Sequence, residues 1–202
     1  IVGDANHVLA ERNTPIAAQS RIDWIKQVEQ WREEHPVLAI RETEKLLPQS
    51  VIRQIYEVTK GDAIIVTGVG QNQMWASQHF WYNKPHSFIS SGGLGTMGFE
   101  LPAAIGVKVG RPDEAVWAIA GDGGFQMTMS ELATIVQEKI NIKIAIINNG
   151  YLGMVRQWQD IFYDQRYAGT PLHNPNFVKI ADAYDIPALA VSRREDVEGA
   201  IR

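Results

Sequence analysis

The sequence predicts an α/β fold, a parallel sheet flanked by helices on both faces. Three observations carry that prediction. Short, almost wholly apolar runs recur at 63–68, 115–120 and 142–148, as strands buried on both faces require. Segments with helical spacing separate them. The turns "TGVGQNQ", "GDGGF" and "NNGYLG" follow the three runs, where an open α/β sheet binds its ligands.

Taken in order, residues 1–35 read as the tail of a preceding unit. "IVGDANHVLAE" suits a strand end, a turn and a helix start. "RIDWIKQVEQWREEH" puts Ile22, Ile25, Val28 and Trp31 on one helical face. Pro36 follows, and "PVLAIRETEKLLP" joins this helix to the next. A domain boundary is therefore expected near residue 45, with 1–45 a domain tail plus linker and 46–202 the main domain. A helix opened by Pro48 is expected over 48–58, and "AIIVTG" at 63–68 is the first strand. "MWASQHF" follows as a helix and "HSFIS" as a strand. "FELPAAIGVKVG" is a helix of small residues, able to pack close to a sheet. Strand 115–120, a helix over 128–139 and strand 142–148 come next. "MVRQWQDIFY" and "FVKIADAYD" read as helices, "ALAVS" as the last strand, and "REDVEGAI" as the start of another helix. No internal repeat or low-complexity tract interrupts the pattern.

Composition narrows the function classes. The 202 residues are 45% hydrophobic and 21% charged, enough apolar material for a core. A net charge of −4 gives no electrostatic reason to expect nucleic acid or an anionic membrane surface as partner. No apolar run approaches the ~20 residues that span a bilayer. The absence of cysteine excludes a disulfide scaffold and Cys-ligated metal sites, and fits a reducing compartment. The chain starts at Ile1 and stops at Arg202 inside a helix-like pattern, as a piece of a longer polypeptide would. The main domain is thus expected to be truncated at its C-terminal end.

Asp122, in "AIAGDGGFQM", places a carboxylate where such a turn usually offers backbone N–H groups to a phosphate. A carboxylate beside a diphosphate is repulsive unless a cation lies between them. One helical crossover joins the strands before Asp122 and Asn149, so both should face one crevice. Asp122, the Asn149 amide oxygen and a nearby backbone carbonyl would supply half of the octahedral oxygen shell that Mg²⁺ prefers. Two phosphate oxygens and a water would complete it. Gly121, Gly123 and Gly124 let the backbone approach the phosphate. The plain alternative is a capped strand-to-helix turn at Asp122 and another turn at Asn148-Asn149. The two pieces together, one crossover apart, favour the metal site.

The spacing of "GDG" and "NN" resembles the thiamine-diphosphate motif of thiamine-diphosphate-dependent enzymes. "GVGQNQMWASQ", "SSGGLGTMGFELPAAIG", "GDGGFQMTMSELATIVQ" and "NNGYLGMVRQWQ" resemble the large catalytic subunit of the acetohydroxyacid synthase (acetolactate synthase) family. The likeness runs from "VGD" at 2–4 to the end and is densest between 66 and 167. It implies a diphosphate-binding domain preceded by the end of a middle domain. It implies Asp122, Asn149 and the Tyr151 carbonyl as Mg²⁺ ligands, with Gly70, Gln71, Gly123 and Gly124 at the diphosphate. Gly95, Gly121, Gly153 and Met154 complete the implied cofactor-binding set. Met97 matches the residue that props the cofactor into its bent shape, its alternative being an ordinary core methionine. Asn72 stands where the family usually has histidine; its amide can still donate to a phosphate, and a polar turn residue is the other reading. Met154 and Trp158 fall on one helical face, implied to line the substrate pocket or else packed in the core. The five histidines are scattered, and a structural role is the default for each.

The implied reaction condenses pyruvate with a second 2-keto acid to acetolactate or acetohydroxybutyrate, in branched-chain amino-acid biosynthesis. The implied catalytic glutamate belongs to a pyrimidine-binding domain of the same protein or of a partner subunit, so no catalytic residue is expected here. A homodimer or tetramer, a regulatory small subunit, FAD in the longer enzyme, and a bacterial cytoplasmic or plastid location are further implications. Three alternatives stay open. One is another thiamine-diphosphate carboligase or oxidase, of glyoxylate carboligase or pyruvate oxidase type. A second is an NAD(P)-binding Rossmann module, since Gly93, Gly95 and Gly98 formally make G-x-G-x-x-G. The third is a non-catalytic interaction module.

Overall fold

The computed structural model describes residues 21–36 and 38–202, so the strand end, turn and helix start read in 1–11 lie outside the described residues. The chain divides into two units, Ile1–Ala39 and Ile40–Arg202. In the first, α1 (Ile22–Glu34) forms where the apolar spacing places a helix. Its face of Ile22, Ile25, Val28 and Trp31 is exposed, and Trp24 meets Trp31 edge to face at 5.7 Å.

The second unit begins with α2 (Pro48–Thr59), whose first helical residue is the proline. It continues through β1 (Ile64–Thr67), α3 (Gln71–His79), β2 (Phe88–Ser90), α4 (Glu100–Gly110) and β3 (Val116–Gly121). Next come α5 (Asp122–Thr128), α6 (Leu132–Gln137), β4 (Lys143–Ile147), α7 (Gly153–Phe162), α8 (Phe177–Asp182) and α9 (Val197–Ile201). All four strands are parallel, in the order β2-β1-β3-β4.

Register and alternation explain why the strands are apolar throughout. Ile65 pairs with Trp117, and both point, with Ile119, into a core closed by Ile52 and Ile55 of α2 and Ala76 of α3. Val66 pairs with Ala118, and these point the other way, onto Ala104 of α4. Ala120 joins Leu101, Phe125, Leu132 and Ile135 on that second face. Small residues at Ala103 and Ala104 let α4 lie close to β1 and β3, as the sequence suggests. A sheet buried on both faces has no use for polar alternation.

Two expected elements differ. "ALAVS" (188–192) is not a strand: it joins no ladder, and Leu189 is 63% exposed. A β-branched apolar run becomes a strand only where a neighbour offers backbone partners. The helix expected over 128–139 starts at Asp122 instead and is broken by a 3₁₀ turn at Met129–Glu131. Thr128 leaves helical geometry (φ −132°, ψ 14°), and its hydroxyl donates to the Gly98 carbonyl at 2.9 Å. That bond ties the break to the glycine turn before α4.

The two-faced core makes a direct prediction. Ile119→Ala should cost about 2–5 kcal/mol, because Ile119 is 1% exposed and truncation leaves a cavity. Leu189→Ala should stay within about 0.5 kcal/mol. Urea midpoints of the two variants check both values, and a large loss at Leu189 would restore the strand there.

Candidate functional site

Strand order fixes where a ligand fits. From β1 the chain moves to β2 on one side and then to β3 and β4 on the other, so the topological switch point lies between β1 and β3. Outside their carboxyl ends stand Gly68–Gln71, at the entry to α3, and Gly121–Gly124, at the entry to α5. Gly70 takes φ +133°, a conformation that favours glycine, as the chain turns from β1 into α3.

Asp122 is 2% exposed, at the first position of α5. Its Oδ1 accepts from the Gly123 N–H at 2.9 Å. Its Oδ2 accepts from the Gly150 N–H at 2.7 Å and from Asn174 Nδ2 at 2.6 Å. Among the described residues no basic side chain pairs with it. Gly150 sits between Asn149 and Tyr151, so the carboxylate lies against the loop after β4. Gly121 and Ile147 pair in the ladder, which brings the two strand ends level.

The β4 loop is shaped for its place. Asn149 is exposed; its Oδ1 accepts from the Tyr151 N–H at 3.0 Å and its Nδ2 donates to Gln71 Oε1 at 3.5 Å. The Tyr151 carbonyl accepts no hydrogen bond among the described residues. Leu152 donates to the Thr170 carbonyl and Leu172 to the Gly150 carbonyl, so segment 170–172 straps the loop. Arg156 lies 4.0 Å over the Tyr151 ring.

Glycines mark the close approaches. A Cβ at Gly123 would stand 2.9 Å from Leu152 Cδ2, 3.2 Å from Leu172 Cδ1 and 3.5 Å from Met97 Cε. A Cβ at Gly153 would collide with Gln71 Oε1. Gln71 also donates to Gln157 Oε1 at 3.1 Å. The structure therefore gathers Gln71, Met97, Asp122, Gly123, Asn149, Tyr151 and Gly153 at one end of the sheet.

Other expected residues stand differently. Asn72 is buried and donates Nδ2 to the Ile119 carbonyl at 2.9 Å, bridging α3 to β3 across the switch point. Gly95 takes φ +68° in an exposed turn with nothing near its Cβ position. Met154 is partly buried. Trp158 is 51% exposed and stacks on Phe162 at 5.2 Å, which excludes a core role for it among the described residues.

Two residues escape sequence reasoning. Asn174 joins Asp122, Asn148 (2.8 Å) and Gln126 (2.9 Å), yet "LHNPNF" offers no signal beyond a polar turn. Glu100 is fully buried beside both glycine turns. An acidic residue inside an apolar, small-residue helix was the available sign.

No cluster of three or more His, Cys, Asp or Glu occurs among the described residues, so a metal would draw on Asp122, amide and carbonyl oxygens and the oxygens of a ligand. Among the same residues, no helix is long and apolar enough to cross a membrane.

The chain is similar to known proteins over most or all of its length. The catalytic subunit of mitochondrial acetolactate synthase from Saccharomyces cerevisiae is 42% identical over 100% of this chain and 30% of its own length. The Escherichia coli acetolactate synthase isozyme 3 large subunit is 40% identical over 100% of this chain and 36% of its own. Chloroplastic acetolactate synthase 1 from Nicotiana tabacum is 46% identical over 89% of this chain and 28% of its own. The chain thus spans about a third of the length of these relatives. Residues 68–202 match the thiamine pyrophosphate enzyme, C-terminal TPP binding domain, and the chain belongs to that family.

Proposed function

We propose that this chain holds the diphosphate of thiamine diphosphate through Mg²⁺. In a longer protein it would form that part of an enzyme condensing pyruvate with a second 2-keto acid to acetolactate or acetohydroxybutyrate. The observation that carries the reading is the Asp122 carboxylate, buried without a basic partner among the described residues and turned onto the loop of Asn149 and Tyr151. A buried anion with only N–H donors around it suits a site completed by a cation.

Each residue has a physical task in this reading. Asp122, Asn149 Oδ1 and the unspent Tyr151 carbonyl would hold the metal. Gly70, Gln71, Gly121, Gly123 and Gly124 line the two turns at the switch point and would admit the diphosphate. Met97, within reach of Gly123, offers an apolar support for the organic part of the cofactor. Asn72 holds α3 to β3 and so sets the width of the crevice. Gly153 leaves room for Gln71. When bound, thiamine diphosphate supplies the electron sink for loss of CO₂ from a 2-keto acid and for the ligation that follows. Met154 and Trp158 on α7 would face the keto acids.

The remaining parts of the activity belong to the longer protein. We assign the first unit to the end of a preceding domain, and the activating glutamate to a pyrimidine-binding domain of the same or a partner subunit. A homodimer or tetramer, FAD and a regulatory small subunit fit this reading; the bacterial relative is named a large subunit. The compartment follows the organism, bacterial cytoplasm or an organelle, as the mitochondrial and chloroplastic names of relatives suggest. The Rossmann alternative loses support, because Gly93, Gly95 and Gly98 follow β2, a three-residue strand at the sheet edge.

Asp122→Ala in the full-length parent protein should abolish Mg²⁺-dependent binding of thiamine diphosphate. Calorimetric affinity unchanged from the parent would remove the metal assignment. Trp158→Leu should lower the preference for 2-ketobutyrate over pyruvate as second substrate. The ratio of acetohydroxybutyrate to acetolactate reads this, and an unaltered ratio takes Trp158 out of the pocket.

A further inference from the structure

Two carboxyl groups are buried among the described residues, and their surroundings are opposite. Asp122 accepts from Gly123, Gly150 and Asn174. Glu100, 0% exposed, has no hydrogen-bond partner on either oxygen. Burial pushes its carboxyl above the usual carboxylate range; the backbone N–H groups of Glu100 and Gly98 offset part of that without completing a bond.

The elements packed most closely on α4 bring no positive charge. β1 and β3 carry no ionisable side chain, α5 brings Asp122, and the turn at Met129–Glu131 brings Glu131. Lys108, on α4 itself, is engaged by the Pro112 and Glu114 carbonyls. Nothing there neutralises an ionised Glu100.

Its place is specific. A Cβ at Gly68 would collide with Glu100 Oε2, and a Cβ at Gly124 would lie 2.6 Å from Oε1. Gly68 opens the turn that leads to Gly70 and Gln71, and Gly124 follows Asp122 and Gly123. The carboxyl is wedged between the backbones of the two turns at the switch point. A neutral carboxyl fills that space without the cost of burying an unpaired charge.

We propose that Glu100 is a positioning residue of the diphosphate site: its un-ionised carboxyl spaces the two glycine turns, and its ionisation puts a negative charge behind them that expels a diphosphate. The inference rests on the thiamine-diphosphate reading given above. Because the bound anion favours the protonated form, affinity must fall as pH rises through the ionisation of Glu100. Binding at a pH above that ionisation must draw a proton into the protein.

The test uses the full-length parent protein and its Glu100→Gln variant, with calorimetric titration of thiamine diphosphate in excess Mg²⁺ at rising pH, across the whole range in which both proteins stay folded. The parent should lose roughly tenfold in affinity relative to the variant across this range. Ionisation of the ligand itself is common to both proteins and cancels in the ratio. Net proton uptake, measured for the parent in buffers of different ionisation enthalpy at the alkaline end, needs no variant and decides the matter should Glu100→Gln not fold. Parallel affinity profiles, or no proton uptake, overturn this inference alone. A parent protein that binds no thiamine diphosphate at any pH overturns the cofactor reading and this inference with it.

Discussion

The buried carboxylate of Asp122 ties together three segments that are far apart in sequence. It begins α5, accepts from Gly150 in the loop after β4, and accepts from Asn174 ahead of α8. A carboxylate this deep has to be surrounded by donors, because desolvating it unpaired would cost several kcal/mol, on the order of 5. That requirement dictates the local architecture. The loop after β4 must turn its N–H groups inward, and segment 170–174 must return to strap it. Both follow from one negative charge.

The sheet makes the arrangement feasible. Parallel strands in the order β2-β1-β3-β4 part at the β1/β3 boundary, and the turns that leave those strands head for opposite faces. Asn72 closes the gap from one side by donating to the Ile119 carbonyl, and Glu100 fills it from the other between Gly68 and Gly124. Gly68 and Gly124 leave the space that Glu100 occupies, and Gly153 leaves the space that Gln71 occupies. Thr128, bonded to Gly98, extends the same connection into the 3₁₀ turn that splits the expected long helix. The site and the second face of the core are therefore one packed body.

The surface of α7 has a different character. Val155, Trp158, Ile161 and Phe162 are all exposed, and Trp158 rests on Phe162. Arg156, on the same helix, is drawn over Tyr151 and Tyr167. The helix is thus anchored at its start by the loop after β4 and carries aromatic side chains outward.

Sequence alone determined what depends on neighbours in the chain. Apolar runs with β-branched residues marked three of the four strands, Pro48 opened a helix, and the "GDG" and "NN" turns placed Asp122 and Asn149 at strand ends. Tertiary structure decided what depends on partners brought from a distance. "ALAVS" has strand-forming residues and no ladder to join, so it is no strand. Asn174 and Glu100 look like a turn residue and a stray charge in sequence. Their roles exist only because folding carries one to Asp122, across 52 positions, and wedges the other between two glycine turns. Propensity acts within a turn or two of chain, whereas a hydrogen bond or a steric gap is set by the whole packed arrangement.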